Sequence, residues 1–476
     1  GTIGGVVVPV NTFASREERD YILRHGDASL LLLQPSLLRR AVLDELLADH
    51  PEIARGSPGA LRVRALPQLR AVHCLGLDRA CGGVAPWSHL LARGEGLAAD
   101  LLDALCAEVE PSDDALVIYT SGTTAHPKGV LHAHRAPVLQ ARRFAELLRF
   151  GPEERVFTTY PFFWTAGIAM SLGATLAAGG CLLLQEGFEP GAALELCERE
   201  RATAVHAWPH QAKAMSEHPD AGRRDLSSLR KVDFASPLAK LAGIEKDEYG
   251  TGASYGLSET FTIASLLPAD APPELRRSTH GRALPGMEIR IVDLETGAPL
   301  PPGQPGEIAV RGATLMRGYA KVPPELVFDA DGWFRTQDGG SLDAEGFLHW
   351  TGRLSNLIKT GGANVSPLEI EQALAGHPDL ELAVAVGVGH PTLGEAIVLC
   401  AVPAPGRAID EGGIRAFLRG RLAAYKVPKR VLAFRAGELA FTGSQKVQLD
   451  PLRKLALERL AAEGAEIEGH RYGPPR

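Results

Sequence analysis

Through its first half the chain alternates short apolar runs with longer amphipathic stretches. The runs at 6–10, 29–33, 115–119 and 204–207 are brief and mostly bounded by turn residues, which predicts strands. Stretches 16–24, 37–47, 133–148 and 192–201 repeat apolar residues at helical spacing and predict helices. Such alternation is the signature of α/β layering. Between 280 and 350 the texture changes to short strands among dense turns, at 288–292, 306–311 and 346–350, which predicts a β-rich subdomain. After Gly352 and Arg353 a compact unit restarts, with helical pattern at 367–375 and 414–422 and strands at 382–388 and 397–402. We expect an α/β fold with a large N-terminal domain over 1–354 and a small, mobile α+β domain over 355–476, hinged at Ser355. No tandem repeats are present.

Composition narrows the class. At 476 residues the chain exceeds what one hydrophobic core serves, which agrees with two domains. A net charge of -7 argues against a general nucleic-acid binder and suits a soluble cytoplasmic protein. The six cysteines contain no Cys-x-x-Cys pair, so reduced thiols and no structural metal site are expected. Residues 156–185 carry no charge and are long enough to cross a bilayer, but Pro161 and Gly167, Gly173, Gly179 and Gly180 break them into a loop, a short helix and a strand. A buried core segment is expected there, and no membrane span. The chain begins at Gly1 without a methionine and reads as a piece lacking its true beginning; disorder is expected only near 470–476.

The chemistry concentrates in a few loops. Tyr119, Thr120, Ser121, Gly122, Thr123, Thr124, Ala125, His126, Pro127, Lys128 and Gly129 follow a predicted strand and offer hydroxyls, backbone N–H groups and one cation, which is what an oxyanion needs. The spacing is not that of a Walker loop, and the same residues also suit a polar turn. Tyr255, Gly256, Leu257, Ser258, Glu259 and Thr260 set an aromatic, a glycine and a carboxylate close together; beside a triphosphate the carboxylate suits Mg2+, and alone it suits solvent. Gly332 to Asp338 ends in an acid suited to ribose hydroxyls or to capping a turn. Arg353, Lys359, Gly361 and Gly362 join basic residues to a flexible glycine loop that fits either a ligand or a linker. Lys446 stands on a small-residue loop near the C-terminus.

Taken together and in this order, these segments resemble the acyl-adenylate-forming (AMP-binding) superfamily of acyl-CoA synthetases, adenylation domains of peptide synthetases and luciferases, over nearly the whole chain. Gly306, Glu307 and Ile308, Gly318 and Tyr319, and Tyr425 to Pro428 are similar to further motifs of that family. The resemblance implies attack of a carboxylate on the α-phosphate of MgATP, then displacement of AMP by the thiol of CoA. It assigns Thr120, Ser121, Gly122, Thr123, Thr124 and Lys128 to the β- and γ-phosphates, Glu259 to Mg2+, and Asp338 and Arg353 to the ribose. Ala235, Ser236 and Pro237 resemble the segment that flanks adenine, which would put Tyr255, Gly256 and Ser258 also on the ATP side. By the same resemblance Lys446 would bridge the reacting carboxylate and α-phosphate, where a fixed cation stabilises the transition state. Lys359, Gly361 and Gly362 resemble elements that serve CoA after the small domain rotates.

On the acyl side, the aromatic segment Pro161 to Gly167 holds Trp164 and Gly167 but no acid, and with Leu257 favours a fatty, alicyclic or aryl acid over an amino acid. His206, Trp208 and His210 are candidates for the same side or for structural roles. Ala125, Gln337 and Gln445 stand where glycine is customary, and Ser355 where the hinge usually has Asp or Lys. The leading expectation is an AMP-forming acid:CoA ligase using ATP, Mg2+ and CoA, with a homodimer left open. The alternatives are an enzyme that loads a carrier-protein thiol and a non-catalytic nucleotide- or acyl-binding homologue.

Overall fold

The computed structural model describes residues 2–120, 126–354, 358–365, 367–440 and 447–473. The fold is mixed α/β, with a large N-terminal domain and a C-terminal domain. Two three-stranded parallel sheets carry the layering. Leu30–Leu33, Ala71–Cys74 and Val84–Pro86 form one, and Cys181–Leu183, Arg155–Thr158 and Ala204–His206 form the other. Helix Arg16–His25 starts at a complete capping box: Ser15 Oγ accepts from the Glu18 N–H, while the Glu18 carboxylate accepts from the Ser15 N–H at 2.8 Å.

An antiparallel hairpin of Asp114–Thr120 and Lys128–Ala133 sets Thr120 opposite Lys128, so the hydroxyl-rich loop is anchored at both ends. Gly318–Tyr319 joins the outer edge of Lys128–Ala133. The β-rich region is a four-stranded antiparallel sheet in the order Met287–Val292, Gly306–Gly312, Phe334–Leu342 and Leu348–Arg353. In the C-terminal domain, the hairpin Leu380–His390 and Gly394–Pro403 is covered on both faces. Val384, Val386 and Val388 pack under Leu452, Ala456 and Leu460, while Ala385, Ile397 and Leu399 pack under Ile370, Ile414 and Leu418. That is the period-two alternation of a strand buried on both sides.

Three expectations change. Within 37–47 only the second half is helical, in Val42–Asp49, because the chain first turns at Leu38, whose φ is 54°. The apolar run 6–10 contributes a single bridge, Val7 to Leu116, rather than a strand. The tail is packed as far as Tyr472: His470–Arg471 pairs with Glu466–Ile467, and the Tyr472 hydroxyl donates to the Gly389 carbonyl at 3.1 Å. The uncharged segment resolves into strand Arg155–Thr158, a π-helix Gly167–Gly173 running into Ala174–Ala177, and strand Cys181–Leu183. Among the described residues no helix is long and apolar enough to cross a membrane.

The two domains meet on a buried ionic triad. Lys426 Nζ lies 2.7 Å from Glu18 Oε1, on the first long helix, and 2.6 Å from Glu369 Oε1, on helix Pro367–Ala373. The side chains are 3%, 10% and 3% exposed, respectively. Nearby, Ser15 Oγ donates to the Arg421 carbonyl at 2.9 Å, and Phe13 packs edge-on against Phe163 and Tyr425.

Candidate active site

Strand Lys128–Ala133 organises one wall of the site. Tyr319, paired opposite Val130, donates its hydroxyl to Glu259 Oε1 at 2.7 Å, and Lys128 Nζ sits 4.9 Å from the centre of the Tyr319 ring. A cation held over a tyrosine face gains from the ring quadrupole. Further along, His132 is fully buried with Nε2 2.8 Å from the Ser258 carbonyl. Burial pushes its pKa down to about 4, so the ring is neutral and donates that bond. The Gln140 amide nitrogen reaches the carbonyls of Thr260, Phe261 and Ile263 at 2.7–3.1 Å. Phe261 and Thr262 hold positive φ angles of 50° and 93°, and a Cβ on Gly256 would fall 2.2 Å from the Thr262 carbonyl oxygen. Glycine is therefore obligatory at 256 for this close approach. Together these contacts fix the carboxylate of Glu259.

A second wall is the strand Phe334–Leu342. Asp338 is 2% exposed, and its Oδ2 accepts from the Tyr255 hydroxyl at 2.9 Å; across the sheet its backbone faces Arg353. Gln337 just before it has φ 60°, in the left-handed region, and its N–H donates to Glu307 Oε1 at 2.8 Å. This is one of the positions where the sequence has a side chain in place of the customary glycine.

Between these walls lies a cavity of about 560 Å³, a volume ordinary for a small-molecule site. Of the residues singled out from sequence, Thr120, Lys128, Trp164, Leu257, Ser258, Glu259 and Gly362 line it. The C-terminal domain supplies Gly362, Ala363 and Tyr425. Gly362, with φ 81°, lies so close to the face of Trp208 that a Cβ would be 2.7 Å from the indole. Trp164 meets Trp208 and Tyr425 edge-on, with ring centres 6.5 and 5.9 Å away.

Other candidates stand off the cavity. Lys359 Nζ lies 3.4 Å from the centre of the Trp350 ring, and the Gly361 N–H donates to the Leu393 carbonyl. Gly167 packs where a Cβ would be 2.2 Å from the Pro161 carbonyl oxygen. Ala235 and Pro237 are exposed, and Ser236 caps helix Pro237–Leu241. Tyr255, Gly256 and Asp338 lie behind the lining. Ser121, Gly122, Thr123, Thr124, Ala125, Ser355, Gln445 and Lys446 fall outside the described residues, and Arg353 is placed by its backbone alone. Tyr319 and Tyr425 carry no role in the sequence reading, although both stand in segments similar to family motifs; a tyrosine beside a positive-φ glycine or a basic residue is the signal that marks them.

Residues 2–320 match the AMP-binding enzyme family and residues 369–446 the AMP-binding enzyme C-terminal domain. The chain belongs to this family of adenylate-forming enzymes. It is 30% identical over 467 residues to a putative acyl-CoA synthetase of Bacillus subtilis, covering 96% of this chain and 84% of the relative. It is 31% identical over 468 residues to the indoleacetate–CoA ligase of Aromatoleum aromaticum, covering 97% and 85%. Among solved structures, an amide bond synthetase from Marinactinospora thermotolerans superposes with a TM-score of 0.73 at 30% identity, covering 95% of this chain and 86% of the other.

Proposed function

We propose that this chain is an AMP-forming acid:CoA ligase that activates a fatty, alicyclic or aryl carboxylic acid as its acyl-adenylate and passes the acyl group to CoA. The observation that carries the reading is one cavity with two chemical ends. Lys128 and Glu259 gather on Tyr319, with Thr120 paired opposite Lys128, and supply a cation, a carboxylate and a hydroxyl, while Trp164, Trp208 and Tyr425 cluster as apolar surface. The first end suits a nucleoside triphosphate, and the second suits an uncharged acyl group. Asp338, with Arg353 across the sheet, is the candidate for the ribose, with Ala235, Ser236 and Pro237 on the adenine side. Relatives named as CoA ligases support CoA as the acceptor.

Mg2+ fits the donor set, since a single carboxylate beside phosphate oxygens is how this hard ion is commonly held. When bound it would neutralise phosphate charge; Glu259 is the residue to hold it, with Tyr319 fixing one of its oxygens. We assign the domain boundary to 354/355 and the bridging cation to Lys446. With the C-terminal domain as it stands, Gly362 and Tyr425 close the acyl side, an arrangement suited to thioester formation. A cytoplasmic location accords with substrates of this kind.

The similarity to an amide bond synthetase favours a second acceptor, an amine, for the same adenylate. ATP/pyrophosphate exchange across a panel of carboxylic acids tests the first half-reaction, and CoA, a carrier-protein thiol and an amine offered to the preformed adenylate test the second. Exchange with no acid refutes the activation reading. Product with the amine but not with CoA overturns the ligase reading alone, and a carrier thiol preferred over CoA does the same.

A further inference from the structure

A second cavity, of about 60 Å³, is bordered by Tyr160, His206, Asp233 and Thr251, with Ser236 of the expected adenine-flanking segment at its edge. By water-sized occupancy it holds roughly four waters or one small substituent. Tyr160 is the partition between the two spaces. Its ring stacks on His206 at 5.8 Å and meets Trp208, which lines the main cavity, at 4.4 Å with a tilt of 34°.

His206 is 5% exposed and clamped between Phe150 and Tyr160, with interplanar angles of 17° and 15°. Its Nδ1 lies 3.0 Å from Ser171 Oγ, Ser171 Oγ lies 2.9 Å from Thr158 Oγ1, and Thr158 Oγ1 accepts from the Tyr160 N–H at 3.0 Å. Among the described residues, every hydroxyl hydrogen in this relay finds an acceptor in one direction only. Thr158 donates to Ser171 and Ser171 donates to Nδ1; the reverse order leaves the Thr158 hydrogen with nowhere to go. The hydrogen of His206 therefore sits on Nε2, which has no hydrogen-bond partner among the described residues. A buried donor left in that state costs about 1–3 kcal/mol, which a ligand oxygen recovers.

The charges around the cavity select which oxygen. Lys231 is committed to the buried Glu154, to which it is bonded, and to the Arg149 carbonyl. Asp233 sets a carboxylate beside the cavity, accepting from the Ala235 and Thr251 N–H groups. A second carboxylate on the ligand would meet that anion, whereas a neutral keto, ether or hydroxyl oxygen would not.

We propose that this cavity is the distal end of the acid-binding site and that His206 Nε2–H selects acids carrying a neutral oxygen acceptor far from their carboxylate. The proposal rests on the acid-activation reading above. A site built to hydrogen-bond a substrate oxygen discriminates strongly against the analogue that lacks it.

The test is acid-dependent pyrophosphate exchange with matched pairs: para-methoxybenzoate against para-ethylbenzoate, a ring-ketone alicyclic acid against its methylene parent, and a keto fatty acid against its saturated parent. At least one pair should favour the oxygenated acid by about tenfold or more in kcat/KM. His206→Phe, which keeps the aromatic stack, should bring that ratio toward one while the hydrocarbon member is still turned over. Nitrogen NMR of the wild-type ring should show the hydrogen on Nε2. Exchange with both members of every pair at equal kcat/KM, or a hydrogen on Nδ1, overturns the proposal and leaves acid activation standing. Exchange with no acid at all removes the activation reading and this proposal with it.

Discussion

Replacing Lys426 by Met keeps the bulk of the side chain and removes its charge, leaving Glu18 and Glu369 facing one another at the domain junction. Burial raises the pKa of Glu369 even against the pull of Lys426. Glu18 also accepts from the Ser15 N–H through its other oxygen. Without the lysine, Glu369 takes up a proton. Holding a carboxyl protonated at about pH 7, from an ordinary value of 4.5, costs about 3.4 kcal/mol, and at about pH 5 it costs about 0.7 kcal/mol. The first figure falls within the 3–5 kcal/mol typical of removing one partner from a buried ion pair.

The sign with pH follows from proton counting. In the variant the folded chain holds a proton that the unfolded chain has released, so the deficit grows as pH rises above the ordinary carboxylate range. In the wild type, burial lowers the pKa of Lys426 but Tyr425, Glu369 and Glu18 together outweigh it and raise it, so its contribution persists through neutral pH and is lost only above the ordinary lysine range. Urea unfolding followed by tryptophan fluorescence reads this directly, since Trp164 packs on Tyr425 next to the triad. Adding Glu369→Gln to the variant should restore most of the loss, because the amide donates to Glu18 without needing a proton from solvent. A loss under about 1 kcal/mol at neutral pH, or one that does not change between about pH 5 and 7, would refute this reasoning.

Gln337→Gly should stabilise the chain by about 0.5–1 kcal/mol, since relief of the left-handed strain outweighs the added entropy of the unfolded glycine; thermal denaturation with no gain would count against strain at this position. Gly362→Val should weaken thioester formation more than pyrophosphate exchange, because a side chain there collides with Trp208; equal effects on both steps would separate Gly362 from the acyl side. Stability should fall as pH drops from about 6.5 toward 4, because burial depresses both His132 and His206 to about 4 and the unfolded chain then binds more protons than the folded one. Each histidine contributes up to roughly 3 kcal/mol at the acid end, so a His132→Asn, His206→Phe double variant with an unchanged acid limb would remove them as its source.

What the sequence made legible followed from periodicity and from clustered chemistry. The alternating faces of Leu380–His390 and Gly394–Pro403 are written in their valines and alanines, and the loop at 119–129 advertised itself by composition. What it could not give were contacts made at long range by residues of ordinary type. Gln140 is an undistinguished helix residue until three carbonyls from 260–263 converge on its amide. Lys426 lies in a motif that was noticed, yet its partners are 408 and 57 positions away. The substitution at Gln337 was visible, but that it occupies a left-handed backbone is a property of the turn between Thr336 and Asp338.

The triad's asymmetry bears on how the two domains associate. Lys426 and Glu369 both belong to the C-terminal domain, so separation leaves that pair intact and returns only Glu18 to water. A buried ion pair gains little over apolar replacements because its Coulomb energy repays desolvation, and here half of that repayment is retained after undocking. Such a junction holds orientation without holding tightly, which suits the domain rotation that the proposed two-step reaction would need. Because Gly362 and Tyr425 line the cavity from the same domain, a movement that frees Glu18 would also take them from its wall. Replacing all three charges by well-packed apolar residues removes that balance: it should strengthen docking and slow whichever step needs the cavity open, while pyrophosphate exchange and thioester formation, measured separately, identify which step that is.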